Sequence, residues 1–296
     1  MSGGASVARG LRPALEQLTR ELPNRLADVD DLLRYRRASE ERGTTADALS
    51  RAHRLSTHEL IVEGNAVTVF RPQTDPVARA VFVHGGGLIA GNRFDGVDIL
   101  LRHANALALE VWTLDYPLAP EGRFGEMAAA ALAVLRRAGA DGRRLLLAGQ
   151  SAGGAVGATA GLLARDAGVP CDGLLLVCPM LAPGGAERSD ADPSWDAVTD
   201  STAWAAALGE GDVPPGRRTD LAGLPPTYLD AGSVELFRSA IADFAEGLHR
   251  AGVATELHIW SGAFHASDCV AEAAPASAES HRVRAGWLRR WLLDEL

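Results

Sequence analysis

Short, continuous hydrophobic runs alternate with longer segments of helical periodicity along most of the chain. Strands that are hydrophobic along their whole length are buried on both faces, and their alternation with helices is typical of a parallel sheet covered by helices on both sides. The pattern therefore predicts an α/β fold with a mostly parallel central sheet flanked by helices. The predicted strands are 59–62, 66–70, 80–83, 111–114, 144–148, 173–177, 226–230 and 255–260.

Two stretches interrupt this alternation. Residues 11–52 have helical periodicity without intervening strands. Residues from about 182 to 223 are rich in Pro, Gly, Asp and Trp and are too long for an ordinary connection. We expect both to contribute to a helical cap. The predicted organisation is an N-terminal cap segment over 1–55 and a catalytic domain over 56–296, with a cap insertion at about 182–223.

Composition and charge narrow the class of protein. At 296 residues the chain can form one large domain. A net charge of −9 gives no basic face for nucleic acid and no attraction to anionic lipid. The three cysteines are odd in number and lack CxxC spacing, which indicates neither a disulfide framework nor a zinc site. Because no stretch approaches about 18 uncharged apolar residues, we expect no membrane span and a cytoplasmic location.

The first candidate for chemistry is a Gly-x-Ser-x-Gly segment at 149–153, which directly follows a predicted strand and precedes a predicted helix. This order is that of a nucleophile elbow, in which a sharp turn exposes a serine at the start of a helix. Gly149 and Gly153 would let the backbone approach closely around Ser151. The segment predicts Ser151 as a nucleophile.

A second glycine-rich segment, His84-Gly85-Gly86-Gly87, follows the predicted strand 80–83. Its backbone N–H groups, with that of Ala152 after the serine, could stabilise the oxyanion of an acyl-transfer reaction. A phosphate-binding loop is the rival interpretation. That loop requires Gly-x-x-x-x-Gly-Lys-Ser/Thr, and this chain contains no lysine.

The base and the acid should follow the serine in the order serine, acid, histidine. His265 lies in the loop after the last predicted strand, whereas the other histidines fall in the N-terminal region, in helices or within a strand. The acid could be Asp230 or Glu235. We favour Glu235, because it lies beyond the strand at the exit into a helix, where a carboxylate can face the histidine.

Together these segments resemble the hormone-sensitive-lipase-like branch of the α/β-hydrolases, a family of carboxylesterases. Residues 115–121, Asp-Tyr-Pro-Leu-Ala-Pro-Glu, resemble the family's Asp-Tyr-Arg-Leu-Ala-Pro-Glu segment, and residues 149–154 resemble its Gly-Asp-Ser-Ala-Gly-Gly elbow. Residues 84–87 resemble its oxyanion loop, and 221–226 resemble the lead into its acid-bearing strand. The resemblance implies an α/β-hydrolase fold with a helical cap.

The resemblance also assigns roles to residues. Ser151 is the implied nucleophile, His265 the base, and Gly86, Gly87 and Ala152 the oxyanion donors. Aligning the arginine of the family's Asp-Pro-Leu-Arg segment with Arg238 places the acid at Glu235. No metal or organic cofactor is implied.

Two departures from the family pattern concern the substrate pocket. Gln150 replaces an acidic residue beside the nucleophile, and Leu88 stands where an aromatic residue commonly follows the glycines. We expect both residues to shape the pocket.

The expected function is therefore that of a serine hydrolase. It would cleave carboxylic esters with small or short-to-medium acyl groups through a Ser-His-Glu triad and an acyl-enzyme intermediate. The expected partner is a small-molecule ester, and a homodimer is compatible with the sequence. An acyltransferase or an eliminating dehydratase on the same scaffold is the main alternative. A small-molecule receptor is a more distant one.

Overall fold

An eight-stranded sheet forms the centre of the protein in a computed structural model that describes residues 6–22, 25–184 and 194–296. Its strand order is β1-β2-β4-β3-β5-β6-β7-β8. Strands β3 to β8 are parallel to one another, whereas β2 is antiparallel to both of its neighbours. The strands are β1 Ser56–Val62, β2 Asn65–Arg71, β3 Ala78–Val83, β4 Leu109–Leu114, β5 Arg144–Gln150, β6 Gly173–Val177, β7 Thr227–Gly232 and β8 Thr255–Trp260.

Helices cover both faces of this sheet, as the alternation of hydrophobic segments predicts. Along β3, Val81 and Val83 belong to one hydrophobic cluster, whereas Ala80 and Phe82 belong to a second cluster, and each cluster includes residues of several helices. The α/β fold is thus confirmed. The helices are α1 Arg12–Glu21, α2 Val29–Glu41, α3 Ala46–His53, α4 Asp98–Leu107, α5 Phe124–Ala138, α6 Ala152–Asp166, α7 Ala197–Ala207, α8 Arg238–Arg250, α9 Ser267–Val270 and α10 Pro275–Leu292.

The stretches that interrupt the alternation contain α1 to α3 and α7. Residues 1–5, 23 and 24 of the predicted N-terminal cap segment, and 185–193 of the predicted insertion, lie outside the described residues. Leu11 and Leu15 pack against Ala263 and Phe264, so α1 and the residue before it rest on the loop that follows β8. This contact places the N-terminal segment beside His265.

Two local predictions differ from the structure. The β1–β2 turn is Glu63-Gly64, both with positive φ (49° and 86°), so that Val62 faces Asn65. This is the geometry of a two-residue hairpin turn whose twist matches that of the strands. The pair Gly64-Asn65 predicts such a turn from the sequence, one residue later than the structure places it. Hydrophobic periodicity predicts a last helix over about 283–293, whereas the helix in the structure begins eight residues earlier, at Pro275. None of the helices in the described part of the chain is long and apolar enough to cross a membrane.

Candidate active site

Ser151 occupies a sharp turn between β5 and α6. Its backbone, at φ 55° and ψ −122°, has a positive φ that side chains other than glycine rarely adopt. A Cβ on Gly149 would come within 2.1 Å of the carbonyl oxygen of Gly153, and a Cβ on Gly153 within 2.1 Å of that of Val83. The two glycines therefore allow the tight packing that holds Ser151 in this conformation, with α6 beginning directly after it.

His265 lies opposite the serine. Its Nε2 atom is 2.8 Å from the Ser151 hydroxyl oxygen, and both residues are 8% exposed. The Phe237 ring packs edge-on against the imidazole, with 4.9 Å between the ring centroids. A neutral imidazole with its proton on Nδ1 can accept the serine proton at Nε2. The arrangement can thus activate Ser151 as a nucleophile.

Glu235 approaches the other side of the imidazole. One of its carboxylate oxygens lies 3.7 Å from His265 Nδ1 and accepts a hydrogen bond from the Gly232 N–H at 3.0 Å. The Glu235 side chain is completely buried. A buried carboxylate at this position favours the imidazolium that forms when the histidine takes a proton.

Asp230, the second candidate for the acid, is directed elsewhere. Its carboxylate accepts hydrogen bonds from Arg284 Nε at 2.8 Å and from the Tyr228 hydroxyl at 3.1 Å. Arg284 also contacts Asp268, and all four side chains are buried. The structure therefore places Glu235, and not Asp230, beside the histidine.

The loop after β3 brings backbone N–H groups to the serine. Gly86 and Gly87 have positive φ values of 109° and 63°. A Cβ on Gly86 would come within 2.0 Å of the Ala90 carbonyl oxygen, and one on Gly87 within 2.1 Å of the Trp195 ring. No group in the described part of the chain accepts a hydrogen bond from the N–H groups of Gly86, Gly87 or Ala152. These three donors could bind a developing oxyanion.

Contacts between His84 and Tyr116 stabilise this loop. The two rings stack with 4.2 Å between their centroids, and the Tyr116 hydroxyl donates a hydrogen bond to the His84 carbonyl at 3.0 Å. Burial lowers the pKa of His84, so the imidazole is neutral at pH 7. His84 thus acts on the loop through packing and not as a base. The sequence did not indicate this role of Tyr116, which lies in the segment 115–121.

A cavity of about 230 Å³ opens in front of Ser151. Gln150 lies on its wall. Its amide nitrogen is 2.8 Å from the Cys269 sulfur, and its oxygen lies 2.1 Å from the position that a Cβ of Gly96 would take. Leu88 differs from expectation, because its side chain is fully buried in the hydrophobic core and does not line the cavity. The wall also includes residues that the sequence did not indicate: Leu18, Leu22, Tyr35, Asp95, Trp195 and Cys269.

One group of described residues offers ligand atoms for a metal ion. The candidate atoms of Cys178, Glu235 and His265 lie within 4.8 Å of one another. Burial, with the neighbouring Glu235, raises the pKa of the Cys178 thiol well above its usual value. Since the thiolate and not the thiol is the metal ligand, this group is poorly suited to a metal.

Comparisons with known proteins identify the relatives of this chain. A family model described as the alpha/beta hydrolase fold matches residues 80–268. The chain is 31% identical over 252 residues to esterase LipI of Mycobacterium tuberculosis, covering 75% of this chain and 78% of that protein. It is 33% identical over 134 residues to hormone-sensitive lipase of Mus musculus, covering 42% of this chain and 17% of the lipase.

A solved structure extends the similarity to nearly the whole chain. The crystal structure of esterase LipW from Mycobacterium marinum superposes with a TM-score of 0.84 at 28% identity, covering 98% of this chain and 99% of that one. The similarity therefore includes the N-terminal region, which precedes the segment that the family model matches.

Proposed function

Since this chain belongs to the hormone-sensitive-lipase-like branch of the α/β-hydrolases and is a carboxylesterase-type hydrolase, we propose that Ser151, His265 and Glu235 are its catalytic triad. The observation that carries the proposal is the 2.8 Å contact between His265 Nε2 and the hydroxyl of a serine held on a strained turn. Geometry of this kind defines a triad independently of sequence position.

In the first half-reaction Ser151 attacks the ester carbonyl while His265 takes the serine proton. Glu235 keeps the imidazole in the tautomer that accepts at Nε2 and stabilises its positive charge. The oxyanion is bound by the N–H groups of Gly86, Gly87 and Ala152, each worth about 3 kcal/mol of transition-state stabilisation. His265 then gives its proton to the leaving alcohol, and an acyl-enzyme on Ser151 remains.

In the second half-reaction His265 takes a proton from a water molecule, which attacks the acyl-enzyme. The carboxylic acid is released and Ser151 regains its proton. A cavity of about 230 Å³ favours small or short-to-medium acyl groups. The contribution of Leu18 and Leu22 to its wall supports the proposal that the N-terminal segment forms part of a cap. A cytoplasmic location and a homodimer stay predictions from the sequence.

The proposal is tested with p-nitrophenyl acetate, butyrate and octanoate. We expect hydrolysis with a burst of p-nitrophenol equal to the enzyme concentration, if deacylation is the slower step, and a loss of at least about 10³-fold in kcat for Ser151→Ala. Ser201→Ala, an exposed serine on α7, is the matched control and should keep full activity.

A fluorophosphonate probe followed by peptide mass analysis should label Ser151 and no other serine. Full esterase activity in the Ser151→Ala variant, or labelling at another residue, would refute the proposed nucleophile. Product analysis in the presence of an added alcohol distinguishes hydrolysis from acyl transfer, because an acyltransferase would give mainly the new ester.

A further inference from the structure

Asp95 is the one carboxylate among the described residues that line the cavity in front of Ser151. It lies in the loop between β3 and α4 and is partly buried. Its carboxylate accepts a hydrogen bond from the Asn92 N–H at 2.9 Å. A carboxylate that faces a substrate cavity can contact the substrate directly, so its other partners decide what it can bind.

The arginines near this loop form ion pairs with carboxylates other than Asp95. Arg93 contacts Asp115, and Arg42, the arginine on the cavity wall, contacts Glu21. In the described part of the chain no arginine or histidine forms an ion pair with Asp95. His84 lies close enough to influence Asp95, but burial lowers the pKa of His84 and keeps its ring neutral. Because no described cation compensates its charge, burial raises the pKa of Asp95 above its usual value, and a bound cation would favour the ionised carboxylate.

Two aromatic rings share the cavity with this carboxylate. Tyr35 and Trp195 pack edge-to-face with 5.9 Å between their centroids. Burial and the nearby Asp95 raise the pKa of Tyr35 to about 12, so its ring stays neutral. Neutral aromatic rings attract cations through their quadrupoles, and they recognise quaternary ammonium groups in particular.

We propose that Asp95, together with Tyr35 and Trp195, selects esters that carry an ammonium group close to the scissile bond. The inference rests on the proposed esterase function and names its substrate class. The ammonium group can belong to the alcohol or to the acyl part of the ester, and the two parts are tested separately. A role of Asp95 restricted to holding its own loop through the Asn92 N–H is the opposing outcome.

The test compares esters of equal shape that differ in charge. Butyrylcholine and 3,3-dimethylbutyl butyrate carry the difference in the alcohol. The p-nitrophenyl esters of 4-(trimethylammonio)butanoic acid and 5,5-dimethylhexanoic acid carry it in the acyl part. In at least one pair we expect the wild-type enzyme to prefer the charged member by about tenfold or more in kcat/KM.

Asp95→Asn should lower kcat/KM for the preferred charged ester by about tenfold and change that for its neutral partner by less than about threefold. Asp98→Asn is the matched control, since Asp98 lies three residues further on and contacts His53 outside the cavity. Tyr35→Leu should also reduce the preference for charge, which gives a second variant if Asp95→Asn does not fold.

Equal kcat/KM values within both pairs for the wild-type enzyme would overturn the inference, as would an Asp95→Asn variant that loses charged and neutral esters alike. Turnover of p-nitrophenyl butyrate reports on the proposed function alone. An enzyme that hydrolyses this neutral ester without any preference for charge would retain the esterase assignment and refute the role of Asp95. Inhibition by choline and not by 3,3-dimethylbutanol would support the inference without any variant.

Discussion

Two carboxylates five residues apart in the chain have different partners, and these partners separate their roles. Glu235 is buried beside the Gly232 N–H and the histidine. Asp230 is buried against Arg284, which compensates its charge. A carboxylate already paired with an arginine gains little by approaching an imidazolium, whereas a buried carboxylate beside the histidine favours the imidazolium. Residue type alone did not separate these two candidates, but their surroundings do.

The acid assignment gives a prediction at this scale. Glu235→Gln removes the charge that orients and stabilises the imidazole, so we expect kcat for p-nitrophenyl butyrate to fall by about 10²- to 10⁴-fold. Asp230→Asn leaves His265 and Glu235 in place, so kcat should fall by less than about tenfold. The thermal midpoint of Asp230→Asn should nevertheless decrease, because Arg284 loses part of its compensating charge in a buried site.

Steady-state kinetics and thermal unfolding of both variants check this prediction. The Glu235→Gln variant should unfold at nearly the wild-type temperature, which shows that its defect is in catalysis. If Asp230→Asn were the inactive variant and Glu235→Gln the active one, the acid would have to be reassigned.

At the scale of elements, Arg284 connects three pieces of the site. It extends from α10 to Asp230 at the end of β7 and to Asp268 on α9, the short helix that follows His265. Although burial opposes the charged form, Arg284 holds the pKa of Asp268 below its usual value. The strand that leads to Glu235 and the helix that follows His265 are thus held by one guanidinium group. We regard Arg284 as a positioning residue.

This connection predicts a specific effect of Asp268→Asn. The variant keeps the Arg284–Asp230 pair, so the fold should persist with a loss of about 2 kcal/mol of stability. Because α9 loses its charged contact, the His265 loop should move more freely. We therefore expect kcat to fall by about tenfold with KM nearly unchanged.

Glu279→Gln provides the matched control, since it breaks an exposed ion pair with Arg282 on the same helix, α10. Full kcat in a folded Asp268→Asn variant would limit the Arg284 cluster to a role in stability. A change in KM with an unchanged kcat would indicate instead that the substitution alters the cavity wall at Cys269.

For the whole molecule, local sequence patterns predicted the elements well and the site in part. Each of the eight predicted strands is present, because a run of buried apolar residues has few alternatives in a fold of this size. The proposed triad of Ser151, His265 and Glu235 could be suggested from the sequence because turn chemistry and chain order place these residues at ends of strands. The buried position of Leu88 could not be predicted. Whether the residue after the glycines faces the cavity or the core depends on its backbone conformation, and Leu88 has a positive φ of 68°.

The strand order and the residues of the cavity wall could not be predicted from the sequence for a different reason. Nothing local indicates that β4 lies between β2 and β3. Tyr35, Asp95 and Trp195 come from three distant segments, and only tertiary packing brings them together. Their contacts carry the substrate preference proposed above. Sequence patterns therefore predicted the reaction class more readily than the specificity.

The stability of the whole molecule should depend on pH through Asp200 on α7. This aspartate is 1% exposed and accepts a hydrogen bond from the Gly184 N–H at 3.0 Å. Burial raises the pKa of Asp200 to about 6 from its usual 3.8. The folded protein therefore binds this proton more tightly than the unfolded chain does, so Asp200 destabilises the fold increasingly as pH rises from about 4 to 6. Above that range the cost stays constant, at no more than about 3 kcal/mol.

Asp200→Asn removes this titration while nearly preserving the shape of the side chain. We expect the variant to gain stability relative to the wild-type protein at pH 8 and to gain much less, or to lose stability, at pH 4.5. Urea denaturation of both proteins at the two pH values measures the difference, and Asp243→Asn, an exposed aspartate on α8, controls for the change in net charge. A difference between variant and wild type that is the same at both pH values would show that Asp200 is ionised with its ordinary affinity for the proton. In that case its hydrogen bonds, and not its burial, would dominate the energetics of α7.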